Sequence, residues 1–234
     1  MFRLFLTPEW FNGLDLVFEA AGLVVALLIA GYSWRMYRIN KENRFAYFSL
    51  AFLLVAVSLF FKIFASGVLY YKPVRDLTLD VLRPAAGEGL RFSDFFYRGT
   101  FFLEMASMLG GWLLIFFISQ KERARLRRFY EVSQMALFVY LVVLISIAAS
   151  LRYVLFYLTG LVILALIVLN YYQNYLNSRN KNTFRVLLAF SSIFVSHVFF
   201  VFVFAHPLFY ALGQLFLLAG FMMLLYTYHQ VVKK

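Results

Sequence analysis

The chain is predicted to be an all-α, polytopic bundle of seven transmembrane helices, and three observations predict it. First, 64% of its 234 residues are hydrophobic, its mean hydropathy is +0.80 and only 14% are charged. Such a chain cannot cover itself with a soluble surface and takes lipid as its solvent. Second, a spanning helix needs roughly 20 mostly apolar residues, and seven such stretches can be read, at 12–35, 46–70, 98–119, 132–150, 153–174, 184–204 and 208–230. Third, the first and last thirds resemble each other. Segment Phe18-Glu19-Ala20-Ala21-Gly22-Leu23-Val24 aligns with Phe156-Tyr157-Leu158-Thr159-Gly160-Leu161-Val162 at a shift of 138, which also sets Leu50-Ala51-Phe52 on Leu188-Ala189-Phe190 and Val57-Ser58 on Val195-Ser196. Further on the shift is 109, where Leu109-Gly110-Gly111-Trp112 meets Leu218-Ala219-Gly220-Phe221.

These shifts divide a single transmembrane domain, 1–234, into a first three-helix repeat at 12–119, a linking helix at 132–150 and a second three-helix repeat at 153–230. Ahead of the first span, Met1 to Asp15 is interrupted by Pro8, Glu9 and Asp15 and does not read as a cleaved signal peptide. The first repeat carries a long loop, 71–97, that the second lacks. In it Val74, Leu77, Val81 and Leu82 recur at helical spacing before Pro84, a pattern for a short amphipathic helix. That helix would form a lid over the outer face or rest on headgroups. Short turns are expected at Leu151-Arg152 and at Ala205-His206-Pro207. So little chain remains outside the spans that an output would pass through a separate protein.

Charge sets the expected orientation. The net charge is +11, and 14 of the 22 basic residues lie after spans one, three and five and at the chain end. Among them are Arg35, Arg38, Lys41 and Arg44, the run from Lys121 to Arg128, and Arg179, Lys181 and Arg185. By the positive-inside rule these loops face the cytoplasm, placing the N-terminus outside and the C-terminus inside a cell membrane. Anionic inner-leaflet lipids are the expected partner of the clusters, rather than nucleic acid. Tyr and Trp near the span ends, such as Trp10, Trp34, Tyr70 and Tyr172, fit an interfacial belt.

With three spans, one linking span and three more, the chain resembles the transporter, opsin and receptor superfamily in topology and internal repeat over nearly its whole length. The resemblance implies a ligand-binding or carrying bundle. It lacks the family's diagnostic motifs: 208–230 holds no lysine for a retinal Schiff base, and no Pro-Gln dipeptide occurs.

Four ionisable residues lie within spans: Glu19, Lys62, Glu104 and His197. Charges in hydrocarbon are costly unless paired or hydrated, so such groups mark candidate functional sites. At ~1.5 Å per residue, all four fall roughly 10 Å below the outer surface. The repeat mates of Glu19, Lys62 and Glu104 are Tyr157, Phe200 and Gly213, so only the first triplet carries the charge. Tyr157 adds a hydroxyl and Gln214 an amide, completing a candidate site for a small polar or amphipathic solute, with a proton or cation as coupling ion. In this reading Glu104 accepts the proton or cation, Lys62 pins it or binds a substrate carboxylate, Glu19 is the second acid and His197 tunes protonation.

Other readings of the same residues are a buried polar network that fixes helix packing, a seven-helix sensor or scaffold with a cytoplasmic or membrane partner, and an intramembrane enzyme. The last is the least supported. Cysteine is absent, no helix carries a His-x-x-x-His or Glu-x-x-His pair, and Ser196 and His197 are helix neighbours pointing about 100° apart. No cofactor, catalytic residue or metal site is assigned. Ser58 and Ser196 are expected to bond the preceding turn or a facing helix, and Gly110-Gly111 and Ala219-Gly220 to mark close helix contacts.

Overall fold

The computed structural model describes residues 8–11, 13–70, 92–120 and 153–232, and these are almost wholly helical. Six long helices follow one another: α1 (Leu14–Asn40), α2 (Asn43–Tyr70), α3 (Phe92–Ser119), α4 (Tyr153–Ser178), α5 (Lys181–Val201) and α6 (Leu208–Val232). A 3-10 turn, Glu9–Phe11, precedes α1, and a second, Phe202–Phe204, ends α5. All six are long and apolar enough to cross a membrane, and their outer faces expose residues such as Val24, Leu53, Phe60, Val162, Leu212 and Met222. An apolar exterior over every helix is suited to lipid and not to water. The chain is an integral, multi-pass membrane protein.

The expected span at 132–150, the turn at 151–152 and residues 71–91 of the expected loop lie outside the described residues. Within them, several boundaries move: α1 runs on to Asn40, and α2 and α5 begin three residues early, at Asn43 and Lys181. Residues 92–97 belong to α3, not to the loop, because Phe92-Ser-Asp-Phe-Phe-Tyr contains no helix breaker even though Ser93 and Asp94 interrupt its apolar run.

Helix ends have local causes. The Asp15 carboxylate accepts from the backbone N–H groups of Gly13 and Leu16, each at 2.9 Å, as an acid does well at a helix start. Both two-residue turns of the basic end share one device. Lys41 (φ 57°) ends α1 and Arg179 (φ 47°) ends α4, both left-handed, donating their N–H groups to Tyr37 at 2.8 Å and Tyr175 at 2.7 Å. Asn180 then caps α5, its side chain accepting from Asn182 N–H at 3.1 Å. At the other end His206 Nδ1 accepts from Leu208 N–H at 3.2 Å and starts α6.

The helices close into a ring in chain order, α1 packing on α2 and α6, and α3 on α2 and α4. Glycines set the tightest approaches. A Cβ on Gly111 of α3 would lie 2.9 Å from the Ala51 carbonyl oxygen and 3.0 Å from Val55 of α2; one on Gly220 of α6 would lie 2.9 Å from the Ala189 carbonyl oxygen and 2.5 Å from Ile193 of α5. Only hydrogen fits at either place, which lets the backbones touch. The other members of the two pairs differ: a Cβ on Gly110 would meet only Leu54, at 3.6 Å, and Ala219 is exposed.

The ring interior is filled with aromatic side chains. Trp112, Phe52 and Phe221 are fully buried, Phe221 lying 6.1 Å from Phe52 and 6.4 Å from Trp112 between ring centroids. Polar ties join α3 to α4 and α1 to α6. Asn170 and Asn174 of α4 donate to Ser119 of α3 at 3.0 and 3.2 Å, and Tyr32 of α1 meets His229 of α6 at 3.5 Å.

Candidate functional site

All six residues singled out from the sequence are buried in the ring: Glu19, Lys62 and Glu104 on α1, α2 and α3, and Tyr157, His197 and Gln214 on α4, α5 and α6. Glu19 is 2% exposed, Lys62 5% and Glu104 3%, so these charges are met by protein and not by solvent.

Lys62 Nζ pairs with Glu19 Oε1 at 2.9 Å. The same carboxylate oxygen accepts from the Tyr210 hydroxyl of α6 at 3.2 Å, and Gln214 Nε2, one turn along α6, donates to Tyr210 Oη at 3.1 Å. Lys62 Nζ also stands 5.4 Å from the Tyr210 ring centroid and 5.9 Å from that of Phe200, positions where the ring faces attract a cation. The Lys62 ammonium of α2 thus lies against an acid of α1 and against aromatic rings of α5 and α6.

This arrangement revises two expected roles. The ion pair formed by Lys62 is with Glu19, on α1, and not with Glu104. His197 does not reach either carboxylate as a bonded partner. Its Nδ1 faces the Ile193 carbonyl at 3.1 Å and Ser196 Oγ at 3.3 Å. Its ring stands in an aromatic box, 6.1 Å from Trp112, 5.9 Å from Tyr157 and 6.0 Å from Phe200. His197 thus lies three residues, or ~4.5 Å of rise, beyond Phe200, and the polar layer has two tiers.

Ser196 and His197 come together despite their angular offset because both lean back to one carbonyl, Ser196 Oγ donating to Ile193 O at 2.6 Å. The serine proton is used there, as expected for a hydroxyl that bonds the preceding turn. Ser58 differs: its Oγ is buried with no hydrogen-bond partner among the described residues, as are Glu19 Oε2 and Trp112 Nε1. Beside Glu19 lies a cavity lined by Gly22, Leu59, Gln214 and Phe221, among others, of about 10 Å³. That space suits one water-sized occupant.

The layer is closed on both sides. Toward the basic end stand Trp112 and Phe221. Toward the other, Phe11 of the first turn is buried 6.2 Å from Tyr210 and 5.6 Å from Phe18. Between α3 and α4, Phe101 meets Tyr153 at 4.3 Å, and between α4 and α5, Tyr157 stacks on Phe200 at 4.7 Å.

Comparison with protein-family models, curated proteins and solved structures gave no match. The site therefore rests on its own chemistry. Among the described residues no three His, Asp or Glu side chains group as metal ligands, and exposed His206 is occupied as a helix cap, away from the layer. Tyr210 is the residue that sequence reasoning missed. It carries no charge, and its signals were its place four residues before Gln214 on one face of α6 and its alignment with Phe101 at the 109 shift.

Proposed function

We propose that this chain is a small carrier, related in plan to the duplicated seven-helix transporters and receptors, whose polar layer binds a proton or small cation and couples it to movement of a small polar solute. The carrying observation is the Lys62–Glu19 pair bonded to Tyr210, since it ties the first triplet to the second across the seam that alternating access must open. Adding a proton or cation at Glu19 or Glu104 changes the charge that holds Lys62, and with it the strength of that tie. Glu19 Oε2, without a hydrogen-bond partner among the described residues, and the water-sized cavity beside it supply a place for such an ion or its water. Closure by Phe11 on one side and Trp112 with Phe221 on the other suits an occluded stage of the cycle.

A duplicated origin supports rocking of one triplet against the other. Residues 138 apart make matching contacts: Gly22 faces Leu59 and Gly160 faces His197, with a Cβ at 3.4 and 2.9 Å. The Gly111 and Gly220 contacts and the Lys41 and Arg179 turns match in the same way.

The small size of the cavity also favours a second reading, a sensor in which the layer registers protons and a separate partner reads the basic end. Reconstitution into liposomes, with uptake of protons and of a panel of small solutes recorded for wild type, Glu19→Gln and Glu104→Gln, separates them. Uptake by wild type that disappears in folded variants is the carrier outcome. Absence of uptake in wild type, with variants only less stable, refutes the carrier and leaves the layer to sensing or packing.

A further inference from the structure

At the turn between α4 and α5 lies a cavity of about 230 Å³ lined by Tyr175, Arg179, Lys181, Phe184 and Arg185. Three cations and two aromatic rings meet there, and no acid is in the lining. Arg185 is held in place from the ring side, hydrogen-bonded to Gln230 and 5.6 Å from the Tyr226 ring centroid on α6. The rings of Tyr175 and Phe184 pack at 5.1 Å. Lys181 opens α5, whose first backbone N–H groups add a partial positive charge to the same place.

The matching turn between α1 and α2 is a built-in comparison. It has the same left-handed geometry at Lys41, yet Glu42 stands where α5 has its Asn180 cap, and Glu42 forms an ion pair with Arg44. The first turn neutralises part of its own charge, and the second presents it. Along α4 next to the cavity runs an exposed apolar stripe, Val162, Leu166, Leu169, Tyr172 and Leu176, which Phe184 and Leu188 continue on α5.

We infer that this cavity binds the phosphate headgroup of an anionic phospholipid whose acyl chains lie along that stripe. Arg179 and Lys181 neutralise the phosphate, Arg185 offers its planar fork, and Tyr175 and Phe184 stand at headgroup level as interfacial aromatics do. The apolar stripe selects a lipid over a soluble phosphate, because a free anion would have no use for it.

Native mass spectrometry of the full chain in mixed micelles of phosphatidylglycerol and phosphatidylcholine tests the site. Arg179→Asn with Lys181→Gln alters two exposed side chains, and asparagine tolerates the left-handed position. The wild type should retain phosphatidylglycerol in preference, and this double variant should bind it roughly 30-fold more weakly. Lys41→Asn with Arg44→Gln, the same charge change at the other turn, should leave retention unchanged. Equal loss in both double variants would mean a diffuse surface charge effect and overturn the site, as would undiminished binding in the Arg179/Lys181 variant. Displacement of the lipid by inorganic phosphate alone would assign the cavity to a soluble anion instead. None of these outcomes depends on whether the chain transports a solute.

Discussion

Replacing Lys62 by Met keeps the length of a buried side chain and removes its charge, which leaves the Glu19 carboxylate, among the described residues, with the hydrogen bond from Tyr210 and with Oε2 unpartnered. Both members of the pair are at most 5% exposed. Water therefore cannot make good the loss, and stranding one charge in this way costs about 3–5 kcal/mol. Replacing both, as Glu19→Gln with Lys62→Met, removes the pair together and should cost less than Lys62→Met alone. The two substitutions should thus couple by several kcal/mol. At ~2–4 °C per kcal/mol for a chain of this size, Lys62→Met should lower the melting temperature in detergent by roughly 6–20 °C, and the double variant should recover part of it. A Lys62→Met variant that melts with the wild type, or a double variant whose loss equals the sum of the singles, would refute the buried pair.

The glycine contacts predict a paired result. Gly220→Ala sets a methyl 2.5 Å from Ile193 and 2.9 Å from a backbone oxygen and should cost about 1–3 kcal/mol. Gly111→Ala should cost somewhat less, and Gly31→Ala, which meets nothing within 4 Å, should be neutral or slightly stabilising in the same thermal scan. Tyr210→Phe deletes the hydroxyl that bonds Glu19 and should cost about 1.5–3 kcal/mol; a variant as stable as wild type would mean that the seam is not held there. Asn180→Ala removes the cap of α5 and should cost about 1 kcal/mol by denaturant melt, with no change in proton uptake.

Glu19, Lys62 and Glu104 could be selected from the sequence because ionisable groups in long apolar runs are rare, and counting along each span placed them at one depth. Helix boundaries were legible for the same reason: hydropathy follows length in lipid, and α4 and α6 begin at the expected residues, Tyr153 and Leu208. Phe92 was less legible, since α3 begins before its long apolar run, and Ser93 and Asp94 interrupt the hydropathy there. The pairing of Lys62 was not readable, because depth says nothing about azimuth. Two acids at one level are equivalent until the rotation of each helix is known.

By itself the sequence determined that lipid is the solvent, that helices are the answer to it, and which few polar groups must be hidden. It did so because hydrophobicity and backbone hydrogen bonding are local properties that each segment carries with it. Only the tertiary structure decided that Lys62 binds Glu19 under Tyr210, that His197 turns back to Ile193, and that Phe11, Trp112 and Phe221 close the layer. Those facts depend on how the described helices rotate and lean against one another around a ring, and the close contacts at Gly111 and Gly220 that help fix this are made between residues far apart in the chain.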